Sequence, residues 1–137
     1  MASKPHQFCE TNIGKRHTIV VPIRSSENRN YLPTGILDCT NVVSNLTYAL
    51  YDAPIWCIAL LASRIHLVWI ATVCGRMKTD YSYSNKMGWN TFPLPSLTEK
   101  NKADLTRCAE EILCAREVHF PKTIADLYDS DNMPCLL

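Results

Sequence analysis

The sequence predicts an α+β fold: a small, mainly β domain with one long buried helix, followed by a helical C-terminal extension. Three features predict it. Three short β-branched or aromatic segments lie within residues 18–51, one apolar stretch runs from Pro54 to Cys74, and an amphipathic pattern starts after Ser96. At 137 residues the chain is long enough for a core of its own. Its 47% hydrophobic and 20% charged residues are those of a globular protein, not a disordered one.

Thr18 to Ile23 (TIVVPI) reads as a buried strand, with Pro22 marking an edge or a strand exit. The polar run Arg24 to Asn30 reads as a loop. Its Arg24 and Arg29 are candidate phosphate contacts, though most charged loop residues are only solvated. Gly35 to Cys39 is a second short strand, and Tyr48 to Tyr51 a third. Pro54 to Cys74 has the length of one helix, with Pro54 in its first turn and Gly75 as the stop. Ser63, Arg64 and His66 at its centre argue against a membrane span and for a core helix. Trp56 and Trp69 are then core residues.

Arg76 to Tyr83 (RMKTDYSY) alternates and reads as one strand. Met77, Thr79, Tyr81 and Tyr83 fall on one face, and Arg76, Lys78, Asp80 and Ser82 on the other. On composition alone that polar row is a solvated face with a salt bridge. Asn90 to Pro95 is a rigid extended linker. Ser96 and Glu99 have capping-box spacing, and the helix they open buries Leu105, Cys108, Ala109, Ile112 and Ala115 before ending ahead of Pro121. A short helix around Thr123 to Tyr128 closes the pattern.

Charge is unevenly spread. Residues 1–95 hold nine Lys and Arg against five Asp and Glu, net +4, whereas residues 96–137 hold five against eight, net −3. A basic first part permits a nucleic-acid face there. Overall the net charge is only +1, which does not suggest a nonspecific polyanion binder. Seven cysteines, none in C-x-x-C spacing, and an N-terminus without a signal-peptide layout predict free thiols in a reducing cytoplasm. The four histidines are scattered, so no metal site is expected. There is no dinucleotide glycine motif, P-loop or nucleophile elbow. Asn90-Thr91-Phe92-Pro93 lacks the paired prolines of the amino-methyltransferase loop, so no catalytic residue is assigned.

Three blocks together resemble the C-terminal region of the MmeI-like enzymes, the fused restriction–modification proteins of type IIG and related adenine methyltransferases. They are Ile19-Val20-Val21-Pro22 with Ser25 to Arg29 and Tyr31-Leu32-Pro33; Ser63 to Trp69 with Cys74 to Ser84; and Asn90 to Pro95 with Ile112 to Arg116 and Ala125 to Asp129. Met87-Gly88-Trp89 departs from the family pattern of an aliphatic–Tyr pair before the Asn. The resemblance implies that residues 1–95 are most of a target recognition domain and residues 96–137 the start of a helical C-terminal segment. It implies that Lys78 and Asp80 read one base pair and that Ser82 helps read another, with Leu46 in the same base-reading set. Arg76, Arg29 and Arg24 are then backbone contacts. The expected partners are double-stranded DNA and the methyltransferase domain of a parent protein, with no membrane. S-adenosylmethionine is expected on that catalytic domain and no cofactor on this chain. The competing expectation is a module that docks on a partner subunit without gripping DNA.

Overall fold

The computed structural model describes residues 12–131 together with 133 and 134. The expected α+β class is what it contains. The first sheet is built on β1 (His17–Pro22), which lies between β3 (Gly35–Asp38) and β4 (Thr47–Tyr51), antiparallel to both. Pro22 ends the central strand of this sheet, so it marks an exit and not an edge. Asp52, just past β4, sits at φ 51°, and its carboxylate accepts the N–H groups of Lys15 and Arg16 at 2.8 and 2.7 Å. Those bonds hold its carboxyl below the usual range and tie the start of β1 to the end of β4.

The chain continues through Ile23 into β2 (Arg24–Ser25), a strand inside the run expected to be only loop. With β5 (Gly75–Met77) and β6 (Asp80–Ser82) it forms a second sheet of order β2-β6-β5.

The apolar stretch 54–74 is not one helix. It forms α1 (Trp56–Leu61) and α2 (Arg64–Val73), with Pro54 ahead of the first. Ser63 makes the break. Its backbone is extended, its hydroxyl donates to Leu60 O at 2.6 Å, and the same oxygen accepts the His66 N–H at 3.1 Å. One side chain thus serves the end of α1 and caps the start of α2. The break turns His66 inward, where it is fully buried. The core there joins Ile19, Val21, Ile58, Leu61, Ile70 and Tyr83.

After α2, β5 and β6 comes a π turn over Asn85–Trp89. Gly88 allows a close approach in it: a Cβ would lie 3.1 to 3.2 Å from Tyr83, Cys74 and Ile70. Trp89 of the departing Met87-Gly88-Trp89 stands edge-on to His66 at 6.1 Å and packs against the core. Phe92 closes on His66 at 4.8 Å and on Trp69 at 6.3 Å. Trp69 is partly buried against the core, as is Trp56.

The long helix of the fold is α3 (Glu99–Val118), which packs along α1. Its N-cap is Thr98, whose hydroxyl accepts the Asn101 N–H, and not Ser96. Leu105, Ala109 and Leu113 enter the core, while Cys108 of the expected buried stripe is exposed. The capping box occurs one helix later, at Thr123 and Asp126 before α4 (Ile124–Leu127). Arg116 of α3 ties this end back to the first sheet, donating to Thr34 O at 2.8 Å and to the Tyr128 hydroxyl. The described cysteines carry free thiols. No helix among the described residues is long and apolar enough to cross a membrane.

Candidate nucleic-acid interface

The polar row expected on one strand lies instead on a hairpin. Met77 pairs with Asp80, so Lys78 and Thr79 are the two turn residues between β5 and β6. Lys78 has φ 57°, a left-handed conformation usually given to Gly, Asn or Asp in such turns. Neither turn residue is one of these, so the sequence carried no turn signal and the alternation read through as a single strand.

Pairing register fixes the faces, because antiparallel partners point the same way. Arg24 pairs with Ser82, and Ser82 with Gly75. Asp80 lies two residues from Ser82 and pairs with Met77, so Arg24, Ser82, Asp80 and Met77 share one face. Ser25, Tyr81 and Arg76 share the other. Arg76 is therefore not in a row with Asp80 and Ser82. Lys78 belongs to neither face and projects from the hairpin tip.

Leu46 lies on a separate loop whose backbone is tied to this sheet. Ile23 donates its N–H to Leu46 O at 3.1 Å and accepts the Tyr83 N–H at 2.8 Å. One residue thus ties the loop before β4 to the end of β6. The Leu46 side chain is 70% exposed. The face therefore carries a carboxylate, a hydroxyl and a guanidinium, with the Lys78 ammonium at the tip and the apolar Leu46 on the tied loop, all exposed or half-exposed. Asp80 accepts the Glu27 N–H through Oδ1 at 3.4 Å, which leaves Oδ2 to accept from outside.

Behind the sheet, Arg76 is held in place. Its guanidinium lies 5.0 Å over the Tyr81 ring, 3.5 Å from the Glu27 carboxylate, and donates to Thr79 O at 3.1 Å. Arg76 also lines a groove that Arg29 and Arg64 border. Sequence reading missed Arg64 because it took residues 54–74 as one helix. Ser63, a preferred capping residue, was the available signal for a helix start there.

Comparison with known proteins gives three matches. Residues 1–96 match the family model of the MmeI target recognition domain. The chain is 42% identical over 134 residues to DNA methyltransferase A of Bacillus subtilis (strain 168), covering 98% of this chain and 15% of that protein. It superposes at a TM-score of 0.91 and 34% identity on the type IIL restriction-modification enzyme MmeI solved in complex with DNA, covering 98% of this chain and 18% of the other. The chain thus spans less than a fifth of the length of either relative.

Proposed function

Because the chain belongs to the MmeI target recognition domain family, we propose that it reads duplex DNA as the specificity part of a methyltransferase or restriction–modification enzyme. The observation that carries the proposal is the exposed face of the hairpin sheet. A two-stranded ribbon about 5 Å across fits a major groove about 12 Å wide. From the tip, Lys78 donates to guanine O6 and N7. Asp80 accepts from the N4 amine of the paired cytosine. Ser82, two residues along the same face, reads a neighbouring pair, and Leu46 offers apolar contact to a thymine methyl. Arg24, cross-strand from Ser82, and Arg29 and Arg76 supply backbone contacts, which position without specifying.

In this reading residues 1–95 are the recognition part and 96–137 the beginning of a helical segment of a cytoplasmic parent enzyme. The parent's methyltransferase domain binds S-adenosylmethionine and carries the chemistry. This chain supplies the address.

The test is anisotropy of labelled 20-base-pair duplexes against the isolated chain across a salt series. Three to four phosphate contacts give a slope of log K on log salt of about −3. A duplex pool should resolve into preferred and rejected sequences. No binding at low salt would favour a docking module without a DNA grip.

A further inference from the structure

We infer that Arg64, Arg29 and Arg76 together form one phosphate-binding groove, separate from the base-reading face and holding a single phosphodiester of the DNA strand beside it. The inference rests on the DNA-reading proposal above and adds a site and a residue to it.

The groove, of about 440 Å³, lies between the turn after β2, the outer side of α2 and the rear of the β5–β6 hairpin. Three guanidinium side chains line it against one carboxylate, Glu27. Glu27 is engaged with Arg76 at 3.5 Å. Arg29 and Arg64 have no side-chain hydrogen-bond or ion-pair partner among the described residues. The lining therefore carries a net charge of +2, in a chain whose net charge is only +1.

Arg64 is also placed where a cation is unfavourable for the helix. It is the first residue of α2, and no acidic residue lies in that first turn. The positive end of a helix dipole repels an arginine there and adds to its field. Both terms favour an anion in the groove. The groove wall is apolar, formed by Leu67, Val68 and Ala71, with Val68 59% exposed. An anion flanked by an apolar wall matches a phosphodiester with its deoxyribose better than a free carboxylate. Arg76 lies on the sheet face opposite Asp80, so the groove is distinct from the face that carries Asp80 and Ser82.

The test is Arg64→Ala in the same chain, with the salt-titrated duplex assay and a set of duplexes carrying single methylphosphonate linkages. Arg64→Ala should weaken all duplexes alike by about tenfold. It should also flatten the salt slope by about 0.9 and leave base preference unchanged. One neutral linkage should weaken the wild type and not the variant. Arg64→Lys should keep most of the slope. Arg64 is exposed, so the variant's melting temperature should stay equal to wild type or rise as the dipole clash is removed. If the wild type binds DNA and Arg64→Ala binds with the same slope, the groove is not a phosphate site, although the DNA-reading proposal stands. If the wild type binds no duplex at all, both fall.

Discussion

Around His66 the structure is closed on every side. Ile58, Leu61 and Ile70 are fully buried, and the rings of Tyr83, Trp89 and Phe92 stand within about 6 Å of the imidazole. A few residues away, the sheet of β2, β6 and β5 is open. Its strands are two or three residues long, and Lys78 and Asp80 are exposed. The boundary falls between adjacent residues: Tyr83 belongs to the core and Ser82 to the open face. A rigid body carrying side chains that are free to meet another molecule separates stability from specificity. Substitutions in the closed region should move the melting point and spare base preference, and substitutions on the open face should do the reverse.

Leu61 gives the strongest way to break that separation. It is fully exposure-free at the end of α1, in the core that α1, the first sheet and α3 share. Leu61→Ala should cost about 2–5 kcal/mol in chemical denaturation, from lost transfer energy and a residual cavity. Where the variant is still folded, its ranking of duplexes should match wild type. An altered ranking would mean that the core sets the reading face and that the two regions are not independent.

His66 sharpens the comparison through pH. Burial lowers its pKa from 6.5 to about 4, because the charged ring cannot be solvated there. Nε2 meets the Tyr83 hydroxyl at 3.2 Å, while Nδ1 has no hydrogen-bond partner among the described residues. Above pH 6.5 the ring is neutral in both folded and unfolded chains and contributes no pH dependence. As pH falls from 6.5 toward 4, the unfolded chain takes up the proton first, so stability is lost across that window and levels off below it. The drop of 2.5 pH units at about 1.4 kcal/mol each is roughly 3 kcal/mol. Asp52 and Asp126, whose pKa values are lowered from 3.8 by backbone and side-chain hydrogen bonds, act only below that window. Urea unfolding from pH 7 to 4.5 should show the decline in wild type and a flatter profile in His66→Gln. Equal profiles would place the imidazole in contact with water.

The same division explains what the sequence reveals. Buried elements announce themselves by composition: Thr18 to Ile23 marked β1, Tyr48 to Tyr51 marked β4, and the apolar spacing after Pro95 marked α3. Their boundaries were harder where one polar side chain decides. Ser63 splits α1 from α2 with two hydrogen bonds, and a periodic apolar pattern runs straight across it. Thr98, not Ser96, caps α3, since both offer a hydroxyl and only the three-dimensional path of the linker selects one. The open face was legible as chemistry and not as geometry. Lys78, Asp80 and Ser82 stand out as a cation, an anion and a hydroxyl at two-residue spacing, but the turn that separates Lys78 from the other two is made without glycine or asparagine. Leu46 is tied to this sheet through the backbone of Ile23 from a separate loop, a contact that no local pattern encodes.

The smallest expected change in stability accompanies the most specific expected change in function. Lys78 at the tip and Asp80 at the head of β6 are exposed, and the fold asks little of their side chains beyond the 3.4 Å bond that Asp80 accepts from Glu27. Reversing the pair, Lys78→Glu with Asp80→Arg, should therefore cost about 1 kcal/mol of stability or less, as surface changes do. At the DNA it puts an acceptor where guanine needs a donor, and donors where the cytosine amine needs an acceptor. Preference at that one position should move from G toward C, by about 1–3 kcal/mol for each base contact exchanged. Selection of duplexes randomised over the target, for wild type and double variant, reads the shift directly. The turn position of Lys78 makes the outcome sharper than a row on one strand would. If the tip alone carries the donor, Lys78→Glu by itself should weaken the preference for G without creating one for C, because Asp80 still accepts from the paired cytosine and no donor has been supplied for the new pair. A double variant that keeps the wild-type base at every position would leave Lys78 and Asp80 as solvated surface charges, and would move base reading to Ser82 and Leu46.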